Sequence, residues 1–164
     1  MNRCPKISSR NSPTPSARAS RSTSTISDTL ERFVEAQRPV YDQALEELRA
    51  GAKRSHWMWF IFPQIAGLGR SRMALHYALR DEVEARRYLE HPLLGPRLCE
   101  CTEAMLAWAG RKSAETILGP IDALKFASSM TLFDAVSESP DNRFAGALAA
   151  FCRGERDPLT LERL

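Results

Sequence analysis

His56-Trp57-Met58-Trp59-Phe60-Ile61-Phe62 is the stretch on which the reading of the fold turns. Its residues have high β-propensity, and an in–out alternation would suit a strand. A strand cannot stand alone, however, because a stable sheet needs several partners. No second segment of the 164-residue sequence has the same character. The stretch is therefore expected to be a short buried helix, or an extended buried segment, at the centre of a helical fold. Burying its six large apolar side chains is worth roughly 10 kcal/mol before entropy costs.

On either side of this stretch the sequence carries helix punctuation. Upstream, Asp28 and Glu31 have capping-box spacing, followed by Leu30, Phe33, Val34 and Gln37 on one face and an interruption at Pro39. Tyr41, Leu45 and Leu48 then fall at i, i+4 and i+7, with Gly51 as the expected C-cap. Downstream, Met73 to Leu79 has helical character. Asp81 and Glu84 form a second capping box before Val83, Tyr88 and Leu89, and His91-Pro92 ends that helix. Leu98, Cys101, Met105 and Trp108 form an amphipathic stripe closed by Gly110. Pro120 suits a first helical position for a helix to about Val136. Asp141 is the expected cap of a helix bearing Phe144, Leu148, Phe151 and Cys152. Asp157-Pro158 opens a last short helix with Leu161 and Leu164. The expectation is an all-α fold, a single compact domain of about seven to eight short helices over 28–164.

Residues 1–27 have a different composition. They are rich in Ser, Thr, Pro and Arg, with only Ile7 and Ile26 as large aliphatic residues, so they cannot bury enough surface to offset their ordering entropy. A disordered basic tail is expected. Arg3, Lys6, Arg10, Arg18 and Arg21 give it +5, which leaves −2 for 28–164 out of the total of +3. The folded part thus lacks a bulk electrostatic footprint for nucleic acid, and such binding would have to run through the tail. The tail reads first as a solvated extension. Its Arg- and Ser-rich, acid-free composition also fits an organelle transit peptide in a eukaryote. No apolar run approaches the roughly 20 residues of a membrane span. No two of Cys4, Cys99, Cys101 and Cys152 have CxxC spacing, so reduced thiols packed as small hydrophobes are expected, together with a cytoplasmic location. No metal site and no cofactor is implied.

Three groups of residues are candidates for chemistry. In the first, His56 and Gln64 bracket the aromatic run. His56 is the candidate proton carrier, and Trp57 and Trp59 are candidate stacking platforms; the plainer reading makes the run core, with satisfied polar residues at its edges. The second is Gly67-Leu68-Gly69-Arg70-Ser71-Arg72, a Gly-rich turn feeding a helix start. Backbone N–H groups and arginine donors there favour an anion; the plainer reading is a flexible turn with Ser71 as an N-cap. The third lies within 121–136, where Phe126, Met130 and Phe133 make an apolar face broadened by Leu124, Ala127 and Leu132. Asp122, Lys125, Ser128 and Ser129 fall on one side of this helix. A lysine and two serines turned toward a buried region are costly unless something polar meets them. A pocket for an anionic, phosphate- or nucleotide-like ligand would meet them, with Lys125 stabilising negative charge and His56 moving a proton if the site is catalytic. In the plainer alternative Lys125 pairs with Asp122 while the serines bond to the helix backbone. The competing function is a non-catalytic protein-interaction or regulatory module.

His56-Trp57-Met58-Trp59-Phe60-Ile61-Phe62-Pro63-Gln64 is followed by Gly67-Leu68-Gly69-x-Ser71. Further on come Tyr88-Leu89-x-His91-Pro92-x-Leu94-Gly95-x-Arg97-Leu98 and Asp122-x-x-Lys125-x-x-Ser128-Ser129-Met130-Thr131-Leu132-Phe133. In this combination the chain, from about Leu30 to Leu164, resembles an uncharacterised group of small proteins. That group is widespread in bacteria and classed as a domain of unknown function, some of whose members carry the label "calpastatin". The resemblance implies a one-domain all-helical fold and no established activity, and nothing about calpain inhibition follows from these residues.

Overall fold

The structure is a computed structural model, and it describes residues 30–164. The expected tail and Asp28, the first member of the expected capping box, lie outside the described residues. Ten helices follow one another: α1 (30–37), α2 (Tyr41–Ala50), α3 (Met58–Ile61), α4 (Arg72–His76), α5 (Glu82–Glu90), α6 (Leu94–Leu106), α7 (Ala114–Leu118), α8 (Pro120–Val136), α9 (Arg143–Phe151) and α10 (Pro158–Glu162). Among the described residues the only β pairing is one parallel bridge between Ile65 and Leu79. None of these helices is long and apolar enough to cross a membrane.

Most boundaries have a local cause that the sequence shows. Gly51 ends α2 in the left-handed region at φ 70°. The side chains of Ser71, Asp81 and Asp157 each accept a backbone N–H of the helix they precede, and Pro120 opens α8. Three details differ from expectation. Asn142, and not Asp141, caps α9, accepting from the N–H groups of Phe144 and Ala145. The segment expected to stay helical to Leu79 stops at His76, because Leu79 turns extended to bridge Ile65. A short helix that the sequence did not announce, α7, starts at Ser113, whose hydroxyl accepts from the Thr116 N–H.

Helix α8 is the hub and packs against α5, α7, α9 and α10. Its middle and C-terminal half are buried nearly all round, so it has no single apolar face. Rings run through the core in contact: Phe33 edge-on to Tyr88 at 5.1 Å, then Tyr88 tilted on Phe133 at 5.5 Å and Phe133 tilted on Phe144 at 5.7 Å. The decisive stretch of the sequence feeds this core. Met58–Ile61 forms one buried helical turn, and Phe62 meets Phe126 of α8 at 5.0 Å. Such pairs add about 1 kcal/mol each to the burial of their area. Leu124, expected to broaden the buried face of α8, is exposed. Cys101 and Cys152 are free thiols.

Candidate functional site

The site is built around the link between α2 and α3. Gly51 reverses the chain where any Cβ would strike the Trp108 ring at 2.8 Å. The chain then passes over Glu47, a glutamate buried on the inner face of α2. The Glu47 carboxylate accepts from the Arg54 N–H at 2.8 Å, the Ser55 N–H at 3.0 Å, the Ser55 hydroxyl at 2.7 Å and the Trp57 indole Nε1 at 3.0 Å. Burial alone would raise its pKa; these donors, led by the Ser55 hydroxyl and the Arg54 amide, outweigh burial and hold it at about 2. A carboxylate ionised at neutral pH thus fixes 54–57 and, with it, the plane of Trp57.

Lys53 is held over that plane. Its Nζ is 5.0 Å from the Trp57 ring and 2.9 Å from Asp122 Oδ2 in the first turn of α8, and its side chain is only 9% exposed. One turn further on, Lys125 Nζ lies 3.6 Å from the other oxygen, Asp122 Oδ1, and 5.0 Å from the Trp59 ring. Two ammonium groups therefore share one carboxylate, each over a tryptophan face whose quadrupole attracts cations. The Lys125 side chain is 25% exposed, so the amine neither waves in solvent nor is sealed from it. The pairing with Asp122 is the plainer arrangement expected from the sequence, with the Trp59 contact added.

Trp59, Gln64, Gly67 and Gly69 line one narrow cleft together with Tyr77 and Ala74. Its volume of about 10 Å³ admits about one water. Gly67 (φ 99°) is needed there for a second reason: a Cβ would come within 2.5 Å of the Arg163 guanidinium, which the glycine allows to lie against the chain. A Cβ on Gly69 would sit 2.6 Å from the Ala74 Cβ.

The other expected site residues lie elsewhere. His56 is exposed and makes no hydrogen bond, ion pair or ring contact among the described residues. Arg70 is exposed as well, and Ser71 is spent on capping α4 at the Ala74 N–H, 3.1 Å. Ser128 Oγ reaches the Leu124 carbonyl at 3.2 Å and Asp157 Oδ2 at 2.9 Å, tying α10 to α8. Ser129 is wholly buried, and its hydroxyl has no hydrogen-bond partner. No group of three or more His, Cys, Asp or Glu converges on a point among the described residues. Sequence reasoning missed Lys53, Glu47 and Arg163. Glu47 carried a signal, since an acid three residues after Ala44 falls on the buried stripe of α2. Lys53 and Arg163 carried none, because their partners are far away in the chain.

The family described as "Protein of unknown function (DUF1810)" matches residues 27–164. The chain belongs to the DUF1810 family. Among solved structures, the DUF1810 domain is similar to a conserved hypothetical protein from Mycobacterium tuberculosis, known from a crystal structure. The two are 49% identical, the match covers 82% of this chain and 95% of that one, and the TM-score is 0.79. No curated protein matches. The chemistry open to the DUF1810 domain lies in its own residues. It offers Lys125 over the face of Trp59 and Arg163 against Gly67 at the same cleft, donors of the kind that pair with anions.

Proposed function

We propose that the chain binds a small anionic molecule, phosphate- or nucleotide-like, across the mouth of the Trp59 cleft, with Lys125 as the principal cationic contact. The observation that carries this reading is the shared carboxylate: Lys53 and Lys125 both rely on Asp122. The nearby Glu47 already accepts five hydrogen bonds, from Gln43, Arg54, Ser55 twice and Trp57. An incoming anion would complete the charge balance on the open side of Lys125. Because the cleft itself admits about one water, the ligand would lie over it, with a planar group on Trp59 and its anionic end toward Lys125 and Arg163. Gln64 would supply an orienting amide. In the catalytic form of the proposal Lys125 stabilises developing negative charge and His56 moves a proton. His56 has no partner to orient it, so binding is the better supported half.

Thermal unfolding in the presence of inorganic phosphate, adenosine monophosphate and small carboxylates tests the reading. A ligand at 100 times its dissociation constant stabilises by about 2.7 kcal/mol. The response should vanish in Lys125→Ala and weaken in Trp59→Ala. Equal melting curves with and without all three anions, or an unaltered response in Lys125→Ala, would reject it.

One observation favours the second reading, a protein-interaction module. Ile121 and Leu124 stand one turn apart on α8, 69% and 71% exposed. Two side chains make a patch smaller than the few hundred Å² that usually mark an interface, so this reading ranks behind the first.

A further inference from the structure

An open groove of about 610 Å³ lies where α8, α9 and α10 meet, within the roughly 300–1,000 Å³ range of small-molecule sites. None of its lining residues belongs to the Trp59 cleft. Its walls are apolar at Leu148, Pro158 and Leu161, and its charged members are Asp134, Glu155 and Arg156.

Asp134 is the unusual member. Its side chain is 2% exposed, and it sits in the last turn of α8, where the helix dipole disfavours negative charge. Oδ1 accepts from Asn142 Nδ2 at 2.9 Å. Oδ2 is buried and has no aligned hydrogen bond, although Arg156 Nη2 is only 2.5 Å away. The contact is close enough for an ion pair and too poorly directed to use the acceptor fully. A buried carboxylate at a helix C-terminus, with Glu155 beside it, calls for a cation. The chain supplies one from the linker before α10, on a side chain that is 54% exposed.

We infer that this groove is a binding site for a small guanidinium compound with an aliphatic stem, and that Arg156 is the internal occupant such a compound displaces. Asp134 receives the guanidinium, Glu155 adds attraction at the mouth, and Leu148, Pro158 and Leu161 cover the stem. A guanidinium suits these walls better than an ammonium because it is planar and more weakly hydrated. While Arg156 occupies the carboxylate, only the fraction of molecules with Arg156 swung out can bind, so the apparent affinity is reduced by that fraction.

Calorimetric titration with n-butylguanidinium, and with pentanoate as the anionic counterpart, tests the inference. Arg156→Ala should bind n-butylguanidinium at least about tenfold more tightly than the native chain, since the internal competitor is gone. Asp134→Asn should abolish binding. Should Asp134→Asn unfold, Ala145→Trp, which fills the groove and leaves the carboxylate in place, should abolish it instead. The inference is overturned if Arg156→Ala binds no more tightly than the native chain, if a folded groove variant still binds, or if pentanoate binds and Arg156→Ala abolishes that binding.

Discussion

Trp57 and Glu47 are joined across ten residues by a 3.0 Å hydrogen bond from the indole Nε1 to carboxylate Oε1. The bond makes a buried acid the anchor of the loop that presents Lys53. Because Glu47 is held at about 2 against an ordinary 4.5, the unfolded chain binds more protons between those values. The contribution of Glu47 to stability is therefore complete above pH 4.5 and is lost as pH falls toward 2. Glu47→Gln, which replaces an acceptor-only group with one that is half donor, should cost about 3 kcal/mol at pH 7. It should also flatten the native loss of stability between pH 4.5 and 3. Urea unfolding of both proteins at pH 7 and pH 3 reads both effects; an equal acid loss in the variant would contradict the assignment.

His91 caps α6 in an unusual way. Its Nδ1 accepts from the Leu93 N–H at 3.1 Å and the Leu94 N–H at 3.2 Å, which only the neutral ring can do. Burial lowers its pKa from 6.5, against a smaller upward pull from Glu31. The folded state thus resists the proton that the unfolded state accepts, so stability is full above pH 6.5 and declines as pH drops below it. The melting temperature of the native chain should fall between pH 8 and 5.5. His91→Asn, whose side chain can still cap, should show a smaller fall.

Gly95 lies in the first turn of α6, where a Cβ would sit 2.1 Å from the Leu89 carbonyl oxygen at the end of α5. Alanine normally stabilises a helix interior by about 1 kcal/mol over glycine. Here the opposite sign is expected, because the obstacle is backbone and cannot rotate away. Gly95→Ala should destabilise by about 3 kcal/mol, as overpacked positions do. Chemical denaturation gives the value, and a neutral or stabilising result would mean that α5 and α6 separate easily.

The sequence was most legible where the cause of structure was local. Gly51, Ser71, Asp81, Pro120 and Asp157 each end or start a helix through groups within three residues, and each could be read directly. Asp141 and Asn142 are both competent caps, and only the backbone path decided between them. The five residues of α7 are too few for a period to show. The aromatic run was legible as core because nothing else in the chain could pair with it as a sheet. Leu124 was misread because periodicity gives a face but not whether a neighbour covers it. In the candidate site, Trp59, Gln64, Gly67 and Gly69 are neighbours in sequence and were found together. The Lys53–Asp122 pair and the seat of Arg163 on Gly67 join residues far apart in the chain, so no spacing could reveal them.

Asp122 gives a prediction that separates stability from binding. It neutralises Lys53, which is nearly buried, and Lys125, which is not. Removing the charge in Asp122→Asn leaves the Lys53 ammonium in a poorly hydrated place and should destabilise by about 2 kcal/mol, less than a fully buried pair because Asp122 is partly exposed. Pairing the change with Lys53→Met should restore most of that loss, since an apolar side chain of similar length tolerates the site better than a lone charge. If Lys125 is an anion site, Asp122→Asn should at the same time bind inorganic phosphate more tightly than the native chain, because the internal carboxylate no longer competes for the ammonium. A purely structural cluster would show the loss of stability and its rescue with no change in phosphate affinity. Denaturation and phosphate titration on the same three proteins therefore distinguish a scaffold from a binding site.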